Sequence, residues 1–204
     1  MSLMAKLRTA RLACSRPEPR LGCMTAQTQP RELLSLAQWD ALGEDDSARS
    51  ELQEGVLIVS PKARIEHQNA IARLCAAILP QLPSDWHVAA EPELVLETKT
   101  PATVRIPDVV VHSRASGPRL VAQDVALVVE VPSPGTRGTD LVMKRHEYAA
   151  AQIPNYWIVD LTTSRLEALS LVAGEYVGDW GDGTVTTDGP VTVTLDPEAL
   201  FPAR

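Results

Sequence analysis

Residues 126–131, ALVVEV, constrain the fold more than any other part of this chain. Ala126, Leu127, Val128, Val129 and Val131 are apolar at nearly every successive position, so both faces of a strand here must be covered. That describes an interior strand, with packed material on each side of its sheet. Glu130 sits near its end. An ionised carboxylate there costs several kcal/mol, roughly, unless a cation or hydrogen-bond donors compensate it. Asp108 repeats the problem in IPDVVV, residues 106–111. Pro107 before it has no amide to donate, which predicts an edge position or a bulge.

The surrounding pattern places these two strands. Residues 31–42 read as a short amphipathic helix carrying Trp39. Residues 51–60 read as a β-hairpin turning at Glu54-Gly55 and ended by Pro61. From Glu66 to Leu82, the apolar residues Ile71, Leu74, Cys75, Ile78, Leu79 and Leu82 recur at spacings of three and four. This predicts one helix with one buried stripe. Residues 87–97 and 103–112 are each expected as a strand, followed by 126–131. A helix capped by Thr139 then runs from Asp140 to Gln152, and a strand covers 155–161. Two hairpins are expected after it, at Ala173-Gly174 and Asp188-Gly189. The helix between the third and fourth strands permits a parallel crossover. The expected class is α/β: a mixed sheet with an α-β-β-β-α-β core and added β-hairpins.

Domain organisation follows from charge. Between Met1 and Cys23, five basic residues face only Glu18, and the predicted domain is 31–204 with 1–30 as an extension. No continuous apolar stretch follows the basic residues, so a secretory signal is not expected. The reading favoured here is an over-extended start, with translation beginning at Met24. Cys14, Cys23 and Cys75 show neither an even count nor CxxC spacing, and no apolar run approaches the length of a membrane span. A cytoplasmic protein without membrane contact is expected. The formal charge is −7 for the whole chain and −11 without the first 23 residues. That balance opposes non-specific binding to nucleic acid unless basic residues gather on one face.

If Asp108 and Glu130 converge, they repel, and a proton or a cation must settle the pair. Oxygen ligands favour Mg²⁺ or Mn²⁺. The following helix supplies a complement: Asp140, Lys144, Tyr148 and Ala151 share one face, with Leu141, Met143 and Ala149 or Ala150 left to pack. An ammonium from Lys144 could hold an attacking hydroxide or offset charge on a phosphate. Equally, the carboxylates could pair with Lys144 or Arg105 as a structural ion cluster. His67 starts the long helix on its apolar side and reads as a capping or core residue first. Glu51 reads as a surface residue unless its hairpin lies over the site. Tyr148, Tyr156 and Trp157 read as packing. No dinucleotide or Walker-type glycine loop, HExxH or GxSxG occurs, and the glycines of SPGTRGTD, 133–140, are only a weak anion-binding signal.

Pro107-Asp108, Glu130-Val131 and the element order resemble the PD-(D/E)XK nuclease superfamily. ELQEGVLIVSP, HQNAIARL, IPDVVV and the long stretch from Val128 to Asp160 are most similar to its Uma-type branch of restriction-endonuclease-like proteins. The resemblance covers residues 31–180. It implies a metal-dependent phosphodiester hydrolase acting on nucleic acid, DNA first, with Asp108 and Glu130 as metal ligands. A main-chain carbonyl beside Glu130 would assist them. The superfamily lysine position holds Pro132 here, and Lys144 takes its place through the branch pattern D-x-x-x-K-x-x-x-Y with Asp140 and Tyr148. Glu51 matches an acidic residue of the hairpin, with a catalytic or additional ligand role, and His67 a recurrent histidine. Gly135 and Ser50 depart from the branch, which has serine and an aromatic residue there. Arg137 and Arg145 are the other cations expected near the site. A homodimer would suit cleavage of two strands. The alternatives are a non-catalytic nuclease-fold binding or regulatory module, and a hydrolase of small phosphoesters.

Overall fold

The computed structural model describes residues 33–43, 49–61, 63–114, 119–132 and 139–201, with the side chains of Thr139 and Asp140 excepted. The predicted extension 1–30, Gly135, Arg137 and most of the SPGTRGTD loop therefore lie outside the described residues. In chain order the first elements are α1 (Leu36–Leu42), β1 (Arg49–Gln53), β2 (Val56–Ser60) and α2 (Ile65–Ile78). Next come β3 (Trp86–Ala90), β4 (Leu94–Glu97), β5 (Thr103–Arg105), β6 (Val109–Ser113) and β7 (Leu120–Val121). Then follow β8 (Val125–Glu130), α3 (Thr139–Ala150), β9 (Asn155–Asp160), β10 (Arg165–Val172) and β11 (Glu175–Gly181). The short β12 (Val185–Thr186), β13 (Thr194–Leu195) and α4 (Pro197–Leu200) close the chain.

A six-stranded sheet in the order β11-β10-β9-β8-β6-β3 forms the core. β8 lies inside it, buried at all six residues as its apolar run predicts. It pairs parallel with β9, the crossover being made by α3, and antiparallel with β6. On one face Leu127, Val129 and Val131 pack with Ile71, Leu74 and Ile78 of α2. On the other, Val128 packs with Tyr148, Ile153, Tyr156 and Ile158, beneath α3.

This is the expected mixed sheet, but among the described residues it is accompanied by a second, five-stranded sheet and by the two-stranded β12-β13 ladder. The second sheet, β2-β1-β5-β4-β7, has its own small core of Trp39, Leu52, Val95, Ala102 and Val104. Each of the two strands expected at 87–97 and 103–112 is broken between the sheets. β3 and β4 belong to different sheets, and so do β5 and β6. Both breaks carry a proline, Pro92 and Pro107, which cannot donate to a ladder and restricts the residue before it. Glu91 takes φ 50° at the first break. Pro107 thus sits between sheets rather than at an edge or in a bulge.

Other boundaries shift for local reasons. α1 begins at Leu36 because Ser35 and Gln38 form a reciprocal capping box. α2 stops at Ile78 and tightens into a 3₁₀ turn, Leu79–Gln81, carrying Pro80. Leu79, expected on the buried stripe, is consequently exposed. Met143 is also exposed, and the packing expected of it falls to Tyr148 and Ala149. The hairpins at Glu54-Gly55 and Ala173-Gly174 form as expected, with positive φ at all four residues. Asp188-Gly189 lies within a wider loop between the two-residue strands β12 and β13. Among the described residues no helix is long and apolar enough to cross a membrane.

Candidate metal centre

Asp108 and Glu130 meet because β6 and β8 run antiparallel. Val109 pairs with Val129, so extending the register by one residue brings the two carboxylates level. Both are buried, at 1% and 5% exposure. Asp108 Oδ2 accepts the Val131 amide at 2.7 Å, which fixes it beside the end of β8. Its Oδ1 faces Arg49 Nη1 at 3.0 Å and His67 Nε2 at 3.2 Å. Glu130 Oε1 accepts from Lys144 Nζ and from the Tyr148 hydroxyl, both at 2.9 Å. The four-residue spacing of Lys144 and Tyr148 on α3 is what lets both reach one oxygen.

Glu51 enters from the other sheet. It is buried, and its Oε1 accepts the Ile106 amide at 3.0 Å while Oε2 accepts from Arg105 at 3.1 Å. Lys144 Nζ stands 3.7 Å from the same Oε1. Arg105 makes a forked contact with Glu147 at 2.6 and 2.7 Å. Arg49 also donates to the Ile106 carbonyl and lies 3.8 Å from Glu91. Of the predicted residues, Asp108, Glu130, Lys144, Glu51, His67 and Tyr148 are therefore gathered in one network. The Asp140 side chain lies outside the described residues. Arg145 is turned to Glu167, at 2.6 Å. His67, expected as a capping or core residue, is half-buried and is not the cap of α2, whose N-cap is Arg64; its ring reaches Asp108 instead. Tyr148 packs and also holds Glu130.

Sequence reasoning missed Arg49, Glu91 and Glu147. Arg49 and Glu51 are two apart on one strand and so share a face, a signal available once Glu51 is a candidate. Glu91 and Glu147 gave no such signal, since each is partly exposed and resembles an ordinary surface acid.

The electrostatics separate the two central carboxylates. Burial pushes Asp108 up, but the His67 hydrogen bond, the Arg49 charge and the Val131 amide outweigh it, leaving Asp108 below the usual range. Burial also pushes Glu130 up, Lys144 only partly offsets this, and the Asp108 charge adds to it, so Glu130 lies above its ordinary value. Burial pulls Lys144 down, yet Glu130 and Glu51 more than restore it, and the ammonium stays charged.

The network links five carboxylates (Glu51, Glu91, Asp108, Glu130, Glu147) to three fixed cations (Arg49, Arg105, Lys144). Among the described residues it carries a charge of −2 with His67 neutral and −1 with His67 protonated, the direction in which its Asp108 hydrogen bond pushes it, and a divalent ion on hard oxygen ligands would offset either. The donor chemistry fits Mg²⁺ or Mn²⁺. His67, Glu91 and Asp108 also bring ligand atoms within 4.8 Å of one another.

Residues 32–188 match the Uma2 family, described as "Putative restriction endonuclease". The chain also shares its fold with a protein of known crystal structure, "a putative nuclease belonging to DUF820 from Anabaena variabilis ATCC 29413". That likeness has a TM-score of 0.65 at 16% identity, covering 82% of this chain and 97% of the other. No curated protein matches the chain.

Proposed function

This chain belongs to the Uma2 family, and from that premise we propose that it is a Mg²⁺- or Mn²⁺-dependent endonuclease cleaving phosphodiester bonds in nucleic acid, DNA in the first place. The carrying observation is the level pair Asp108 and Glu130 at the ends of adjacent strands, with Lys144 Nζ 2.9 Å from Glu130. Asp108 and Glu130 hold the metal in this reading. A divalent ion there would polarise a phosphoryl oxygen and acidify a water for in-line attack. Lys144 keeps its proton, so it serves as a donor, orienting the attacking water and offsetting charge on the phosphate, and not as the general base.

The remaining residues position these three. His67 and the Val131 amide fix the Asp108 carboxylate, and Tyr148 fixes Glu130. Glu51, tied to Arg105 and to the Ile106 amide, stands behind Lys144 as its second counter-charge. The domain is residues 31–204, working in the cytoplasm. A homodimer would present two such sites to a duplex.

A second reading has its own support: both central carboxylates already have a cationic partner, as in a structural ion cluster. Thermal melting of wild type and Glu130→Gln, each in EDTA and in excess Mn²⁺, separates the two. At a hundredfold over its dissociation constant, a bound ion adds about 2.7 kcal/mol. For the metal reading, Mn²⁺ raises the midpoint of wild type alone and the substitution costs little in EDTA. If Mn²⁺ moves neither protein and the substitution destabilises by roughly 3–5 kcal/mol, Glu130 is half of a buried ion pair, and the nuclease reading falls.

A further inference from the structure

Arg49 occupies the place in this network where a second cation would sit. His67, Glu91 and Asp108 converge there, but Arg49 Nη1 lies 3.0 Å from Asp108 Oδ1 and 3.8 Å from Glu91 Oε1. Its Nη2 is held by the Ile106 carbonyl and lies 3.7 Å from Glu51 Oε1. A guanidinium cannot deprotonate under these conditions, so the positive charge is permanent.

The lone pairs of Asp108 divide accordingly. Oδ1 has two, and Arg49 and His67 take both. Oδ2 gives one to the Val131 amide and keeps one, beside the end of β8. An ion shared with Glu130 can bind at Oδ2 without disturbing Arg49. An ion at Oδ1 must displace it.

Charge gives the same answer. One divalent ion offsets the −1 to −2 of the network, whereas two would leave it at +2 or +3 among buried groups, with like charges at close range. We propose that Arg49 is a built-in substitute for a second metal ion, so that the site takes a single divalent cation, between Asp108 and Glu130. This rests on the metal-site reading above and sets its stoichiometry.

The test counts bound Mn²⁺ on the full chain by the loss of the free-ion electron paramagnetic resonance signal. Wild type and Arg49→Lys, which keeps the charge, should each bind one ion. Arg49→Gln should bind two, and Arg49→Gln/Glu91→Gln should return to one. Glu91→Gln in the wild-type background should still bind one ion, because Glu91 is then no ligand and contributes only its charge. This arm needs no Arg49 variant to fold. Two ions on wild type, one on a folded Arg49→Gln, or loss of the bound ion in Glu91→Gln would each overturn the proposal while leaving the metal reading in place. If wild type binds no Mn²⁺, or Glu130→Gln binds as tightly as wild type, the metal reading itself fails and takes the inference with it.

Discussion

Asp108 and Glu130 are chemically alike and stand level on adjacent strands, yet the protein treats them differently. Asp108 has three donors that hold it below its ordinary value, while at Glu130 the charges of Lys144 and Arg49 do not outweigh burial and the nearby Asp108. Glu51 is the third buried acid, and its pH behaviour is open to measurement. Burial pushes it up, but Lys144, the Ile106 amide and Arg105 pull it below its ordinary 4.5. A depressed carboxyl contributes stability that is present above the unfolded value and lost as pH falls through the folded one. Glu51→Gln should therefore cost about 3 kcal/mol at neutral pH, and its gap from wild type should begin to close below pH 4.5. Urea melts at pH 7, 4.5 and just above acid unfolding would show this; a gap that is constant with pH would mean Glu51 is held as the neutral acid. Asp108, Glu130 and Lys144 were legible because a charge inside an apolar run, or repeated at helical spacing, demands a partner. Glu91 and Glu147 were not, because a charged residue that is partly exposed looks the same whether it meets solvent or a distant strand, and Arg49 became so only through its strand-mate Glu51.

At the level of elements, turns and caps were readable and sheet membership was not. The Glu54-Gly55 turn carries a second constraint absent from the hairpin pattern. A Cβ on Gly55 would lie 2.7 Å from Leu33 Cβ and 2.9 Å from the Leu34 amide nitrogen, and Gly55 has φ 76°. Leu34 also donates its amide to the Gly55 carbonyl at 2.8 Å, tying the segment before α1 to the hairpin. Gly55→Ala should lose both the left-handed conformation, about 1–2 kcal/mol, and the packing, about 1–3 kcal/mol. Gly174→Ala, at φ 88° with no atom within 4 Å of its would-be Cβ, should lose only the first. Equal losses in chemical denaturation would show that the Leu33–Leu34 segment moves aside. Ser35→Ala should cost about 1 kcal/mol by removing the cap of α1. The prolines at 92 and 107 were seen as interruptions, but nothing local says that the chain leaves one sheet for another there. That choice depends on which distant strands are available to pair with β4 and β5.

For the whole molecule, the question is how an acidic chain, −7 overall, would approach a polyanion. Among the described residues of the site, Arg49, Arg105 and Lys144 are each engaged with carboxylates, so these three are already neutralised before a phosphate arrives. If the chain binds duplex DNA, the affinity of Glu130→Gln in Ca²⁺ should fall with salt along a shallow slope, about −2 to −3 in log–log terms, as two or three neutralised phosphates give. Fluorescence anisotropy across a salt series measures it. A slope near zero, with a small phosphoester competing fully, would favour a small-substrate hydrolase. By itself, the sequence determined the interior position of β8, the parallel crossover through α3, two hairpin turns, and the residue types that converge at the site. These follow from periodicity, turn chemistry and the cost of burying charge, all of which act over a few residues. Only the tertiary structure decided that β3–β6 are divided between two large sheets, that Glu51 is buried, and that Arg49 spans Asp108, Glu51 and Glu91. Those depend on distant contacts such as Arg49 with Asp108 and Glu51 with Ile106, 59 and 55 positions apart, where pairing one strand rather than another changes the partner of a charge while leaving each local pattern the same.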